Sequence, residues 1–174
     1  LKEVRAMGVK TMREEFLDTY YRLSHRHEPW RVWSDYIYFH ASSLSNLLDQ
    51  ENFQRRNGEY LKRAENYSSQ EMHWFAQLAG ITTLALDDNP EQDFLGSIFQ
   101  DNLEMTDPKT GQVYTPYTTA KMMAVMEASN DRERLQADLY MHVWDPCCGY
   151  GVLSVAYLNE LHKVGVDYSS RVLF

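Results

Sequence analysis

Val143 to Leu153 reads VWDPCCGYGVL, an apolar strand that stops in a glycine-containing loop and restarts as a helix. Tyr140, His142, Val143 and Trp144 carry the aromatic and β-branched bias of a strand. Asp145-Pro146 ends it, because proline cannot donate to a ladder. Gly149 and Gly151 let the backbone turn sharply and remove the Cβ that would hold a ligand off the main chain. Val152, Val155, Ala156 and Leu158 to Leu161 then resume at helical spacing. The loop thus feeds a helix N-terminus whose free amides favour negative charge, a setting for a ligand with a carboxylate or a polar ribose.

The string DPCCGYG, Asp145 to Gly151, resembles the Asp-Pro-x-x-Gly-x-Gly motif with which amino-group DNA methyltransferases bind S-adenosylmethionine. It lacks the third glycine of the dinucleotide fingerprint G-x-G-x-x-G. Upstream, Thr110 to Ala120 reads TGQVYTPYTTA. This is similar to the Gly-Gln-x-Tyr-Thr-Pro stretch that precedes the cofactor motif in the adenine methylases of type I restriction systems. DFLGSIF, Asp93 to Phe99, resembles the short acidic helix that comes before that stretch. The likeness runs from Asp93 to Leu161 and identifies the chain with the N6-adenine DNA methyltransferases.

That resemblance implies an α/β fold, the start of a Rossmann-like methyltransferase fold over residues 91–174. An N-terminal helical bundle region over residues 1–90, read from its periodicity, precedes it, and the whole is expected to be mostly helical. The resemblance also implies S-adenosylmethionine as cofactor, held by Tyr114, Thr115 and Pro116 from the first motif and Asp145, Pro146, Cys147 and Gly149 from the second. Gly151 supplies backbone shape. Asp145 either accepts from the cofactor's ammonium or braces the loop amides, and the sequence leaves both open. Ser170 to Phe174 is expected as the second parallel strand of a βαβ unit whose crossover helix runs from Val152 to Lys163. In the family an acid at the end of that strand holds the ribose, and the chain stops first.

The family's catalytic motif, Asn or Asp followed by Pro-Pro and an aromatic, is absent. Its amide and a carbonyl accept from the adenine amino group while the ring stacks on the flipped base. Asn89-Pro90, Asp107-Pro108 and Asp145-Pro146 are not followed by proline and an aromatic. No catalytic residue is named, and the chain is expected to be the inactive N-terminal part of a longer enzyme. Two other readings stay open: a methyltransferase for a protein or RNA amino group, and a non-catalytic interaction module whose helical half docks a specificity subunit.

Composition bounds these readings. Of 174 residues, 44% are hydrophobic and 24% charged, ordinary for a globular protein. No apolar run approaches the roughly 18 residues of a membrane span, and the first residues have no signal-peptide shape, so the cytoplasm is the expected compartment. Cys147 and Cys148, the two cysteines, are adjacent and expected to stay reduced. The 6 histidines are scattered, and no metal site is expected. The net charge of -8, from 17 Lys and Arg against 25 Asp and Glu, opposes phosphate binding by the chain as a whole. DNA is therefore expected to be gripped by sequence beyond Phe174, by a specificity subunit or by other restriction-modification partners. A sheet cut after two strands would also leave an edge open to self-association.

The first ninety residues read as helices. Met12, Phe16, Tyr20, Leu23 and His27 form one stripe, and Trp30, Trp33, Ile37, Ala41, Leu44 and Leu48 another. Trp30, Trp33, Tyr36 and Tyr38 are either core or a base-stacking platform. His25 and His27 are expected on the surface. A third helix over 51–67 carries Arg55, Arg56, Lys62 and Arg63, either a solvated face or a phosphate contact. Ser68 to Glu71 forms a capping box, and Asn89-Pro90 is expected to open the next helix. Asp107 to Gly111 is a turn, and Thr115-Pro116 opens a helix with a core stripe of Thr119, Met122, Met123 and Met126. Asp131 to Asp138 is expected as a charged loop or half-turn.

Overall fold

Thr11 starts the first helix by a reciprocal cap: its hydroxyl accepts from the Glu14 N–H at 3.2 Å, and the Glu14 carboxylate accepts from the Thr11 N–H at 2.8 Å. The structure is a computed structural model describing residues 10–102, 114–136, 141–163, 165 and 172–173. The elements are α1 (Met12–Ser24), α2 (Pro29–Leu48), α3 (Phe53–Ala64), α4 (Ser69–Asp88), α5 (Phe94–Asn102), α6 (Tyr117–Gln136), β1 (Met141–His142), α7 (Val152–Lys163) and β2 (Val172–Leu173). The backbone falls into two compact units, Leu1–Asp87 and Asp88–Phe174. No helix among the described residues is long and apolar enough to cross a membrane.

In the first unit the core is aromatic. Phe16 and Tyr20 of α1 meet Trp33 and Tyr36 of α2, with Phe16 edge-on to Tyr36 at 5.4 Å between centroids. Phe39 of α2 lies edge-on to Phe75 of α4 at 5.1 Å. Such edge-to-face pairs contribute about 0.5–1.5 kcal/mol each beyond area burial. The buried face of α2 is Val32, Trp33, Tyr36 and Phe39, while Trp30, Leu44 and Leu48 are exposed. The expected stripe was therefore rotated. Apolar residues recur on more than one side of α2, and the neighbouring aromatics select which side is covered.

Several polar groups in this core are paired. The Tyr36 and Thr82 hydroxyls lie 2.7 Å apart, and burial pushes Tyr36 up to about 12. The buried Asp35 carboxylate accepts from Tyr67 and from Arg63, each at 2.7 Å. Ser68 and Glu71 form the expected capping box. His27 is not on the surface: its Nε2 lies 3.0 Å from the Glu71 Oε1, and its side chain is 20% exposed.

The second unit corrects the expected fold. A Rossmann-like α/β start is not formed: the described residues hold seven helices and no sheet beyond a parallel bridge of Met141 with Val172 and His142 with Leu173. Two residues per strand do not make an independently stable sheet. Strand propensity measures how a side chain fits a pleated, half-covered surface supplied by neighbours. Without one, the strand-like Trp144 is 86% exposed. The tail of the expected second strand, apart from Val172–Leu173, lies outside the described residues, as do Tyr140 and the turn at 107–111.

Helix-on-helix packing makes this core instead. Ala120, Ala124 and Ala128 of α6 are buried with Val152, Ala156, Tyr157 and Leu161 of α7 and with Met141. Small side chains let two helices approach closely. The methionine stripe proposed as core faces outward, with Met122 and Met126 exposed. Two further corrections concern boundaries. α6 continues through Gln136, where a charged loop or half-turn was expected, and α5 starts at Phe94 under an Asp93 cap, with Asn89–Gln92 forming a turn before it.

Candidate functional site

The glycine loop is built by local hydrogen bonds. Asp145 Oδ1 accepts from the Cys147 N–H at 3.0 Å, an Asx turn that reverses the chain after β1. The Cys148 carbonyl accepts from the Gly151 N–H at 2.7 Å, and the Gly151 carbonyl accepts from Val155 at 2.9 Å to begin α7. Gly149 and Gly151 sit in the left-handed region, at φ +53 and +76. Asp145 thus braces the loop amides, one of the two roles left open by the sequence. Its other oxygen, Oδ2, is buried without a hydrogen-bond partner in the structure.

Tyr114 and Thr115 come to the same place. A cavity of about 190 Å³ is lined by Tyr114, Thr115, Cys147 and Gly149, together with Asp93, Gln100, Cys148, Tyr150, Val152 and Leu153. A Cβ added to Gly149 would lie in van der Waals contact with the Tyr114 ring, 3.8 Å away, so the glycine borders that ring directly. Tyr114 stacks on Tyr150, and Tyr150 lies edge-on to Phe99 at 4.8 Å. Burial first, and then the Tyr114 hydroxyl, push the Tyr150 phenol above its ordinary range.

The other expected site residues lie elsewhere. Asp145 and Pro146 line a larger cleft of about 730 Å³ with Trp144, Glu127 and Tyr157, and Leu153 borders both spaces. The Pro116 carbonyl accepts from Thr119 and Ala120, so proline precedes the first turn of α6 instead of opening it. Gly151 contributes its backbone conformation. Gly111, Gln112 and Val113 of the first motif are outside the described residues.

Asp93 is the site residue that sequence reasoning passed over. Its Oδ1 accepts from the Gly96 N–H at 2.9 Å, capping α5, and burial raises its carboxyl above the usual carboxylate range. The signal was an aspartate three residues before a glycine at the head of an apolar run. Tyr150, between the two glycines, carried no local sign of its partners.

The segment before α5 is tied to both long helices of the unit. Glu91 pairs with Lys121 at 2.8 Å and Lys163 at 2.7 Å, and Asn159 donates to the Pro90 carbonyl at 2.8 Å. Among the described residues no three His, Cys, Asp or Glu side chains gather to hold a metal ion. Cys147 and Cys148 are free and exposed.

No protein-family model, curated protein or solved structure matches the chain.

Proposed function

We propose that the chain is the S-adenosylmethionine-binding part of a methyltransferase acting on an amino group, with adenine N6 in DNA as the acceptor and a restriction-modification or mobile-element system as its setting. The observation that supports this reading is the cavity shared by Tyr114 and Thr115 with Cys147 and Gly149: two stretches resembling one cofactor site, far apart in sequence, border one space. The reading carries a cytoplasmic setting, where thiols such as Cys147 and Cys148 stay reduced.

The residues fit part of the cofactor. At about 190 Å³ the cavity is below the roughly 300 Å³ of small-molecule pockets, so it admits one end of the molecule. Gly149 allows close approach to the main chain, the Thr115 hydroxyl offers a donor, and the Asp93 carboxylate is the anion available to an amino or hydroxyl group. Asp145 acts on the loop, holding Cys147 in place through its amide. When bound, the cofactor supplies an electrophilic methyl group on sulfonium; no residue here is assigned to activating an acceptor.

Titration calorimetry of the full chain with S-adenosylmethionine and S-adenosylhomocysteine tests the reading. Binding should stabilise the fold by about 2.7 kcal/mol at a hundredfold excess over Kd. Tyr114→Ala and Gly149→Val should weaken it. Absence of binding at millimolar ligand, or binding indifferent to both substitutions, would sink the proposal.

A further inference from the structure

We propose that the first unit carries a contact for single-stranded nucleic acid in the groove between the start of α2 and the end of α3. The groove encloses about 360 Å³ and brings Trp30, Arg31 and the buried Asp35 of α2 against Glu59, Lys62 and Arg63 of α3. Trp30 is 55% exposed at the second position of α2, whose buried aromatics Trp33 and Tyr36 already form the core. A large indole more than half exposed beside cations is the combination that stacks a base and holds its phosphate.

The charges are divided by role. Arg63 is committed to the protein: it donates to Asp35 and Glu59 and lies 4.4 Å over the Tyr38 ring. Asp35 is buried, and its two oxygens receive Arg63 and Tyr67. Arg31 reaches Asp35 only at 3.6 Å, with its side chain 51% exposed, and Lys62 is exposed at the end of α3. Arg31 and Lys62 therefore stay exposed along the same groove that Trp30 lines.

Net charge does not oppose the contact here. Leu1–Asp87 holds 11 Lys and Arg against 12 Asp and Glu, whereas Asp88–Phe174 holds 6 against 13. The acidity of the chain belongs to the second unit. Single strands are favoured over duplex because bases paired in a helix do not offer a free face to an indole. An acidic peptide would use the two cations and leave the indole face unused.

Fluorescence anisotropy of a labelled oligothymidine with the full chain at low salt is the test. Trp30→Ala should weaken binding about tenfold or more, and Trp30→Phe should retain much of it. Lys62→Ala should reduce the slope of log affinity against log salt by about 0.7. Both residues are exposed, and thermal melting checks that the variants remain folded. The proposal fails if no salt-dependent binding occurs, if Trp30→Ala and Lys62→Ala bind like the parent, or if polyglutamate or a free mononucleotide competes as well as the oligomer. S-adenosylmethionine titration of the same variants reads the other unit, so failure of one reading is distinguishable from failure of the other.

Discussion

Tyr114 and Tyr150 stack with ring centroids 4.3 Å apart and planes 28° apart, fastening the segment before α6 to the glycine loop before α7. A double-mutant cycle with Tyr114→Ala and Tyr150→Ala should give a coupling of about 0.5–1.5 kcal/mol by chemical denaturation. Tyr114→Phe should also bring ionisation of Tyr150 to lower pH, toward its ordinary range, followed by absorbance in an alkaline titration. Additive losses with no change in ionisation would mean that the rings touch without interacting.

Gly96 and Gly80 should respond in opposite ways to alanine. A Cβ on Gly80 in α4 meets nothing within 4 Å, so Gly80→Ala should stabilise by about 0.5–1 kcal/mol. A Cβ on Gly96 would lie 2.0 Å from the Asp93 Oδ2 and must push that carboxylate off its cap. The loss, about 1 kcal/mol for a helix N-cap, should cancel or exceed the propensity gain. Asp93→Ala should then cost less in the Gly96→Ala background than in the parent, as read from urea midpoints.

At Gly151 the penalty is conformational. A Cβ there meets nothing within 4 Å, yet φ is +76. Gly151→Ala should destabilise by about 1–2 kcal/mol, and Gly151→Asn by less, because asparagine tolerates the left-handed region. Equal stability of the alanine variant and the parent would show that the loop relaxes to negative φ.

Acid should destabilise the first unit through Glu71. Hydrogen bonds from the Ser68 N–H and hydroxyl, followed by the His27 side chain, hold this 7%-exposed carboxylate down at about 2, from an ordinary 4.5. Because the folded value is the lower one, its stabilisation is complete above about pH 5 and disappears as pH falls toward 2. Glu71→Gln should flatten the melting temperature across that window. A parent-like acid slope in the variant would place the effect on another carboxylate.

Local signals were readable in the chain. The Ser68–Glu71 box stands because both partners are three residues apart and need no distant element. Val152–Lys163 is helical as its spacing implied. The glycine loop also turns as read, since positive φ at Gly149 and Gly151 is a property of the residue type. Strand formation was not readable to the same degree. Val143 and Trp144 have strand-forming side chains, but a strand exists only against a partner, and the pairing is limited to the short bridge at 141–142.

The sequence by itself determined the Ser68–Glu71 cap, the turn of the glycine loop and the helix after it, because these depend on neighbours within a few positions. Tertiary structure alone decided that the alanines of α6 are buried and its methionines exposed, since both faces are apolar and only close packing against α7 separates them. It also decided that Asp93 and Tyr150 join Tyr114 at one cavity while Asp145 borders the neighbouring cleft. Those arrangements join residues remote in the chain, and their energy comes from side-chain packing and burial that no local pattern encodes.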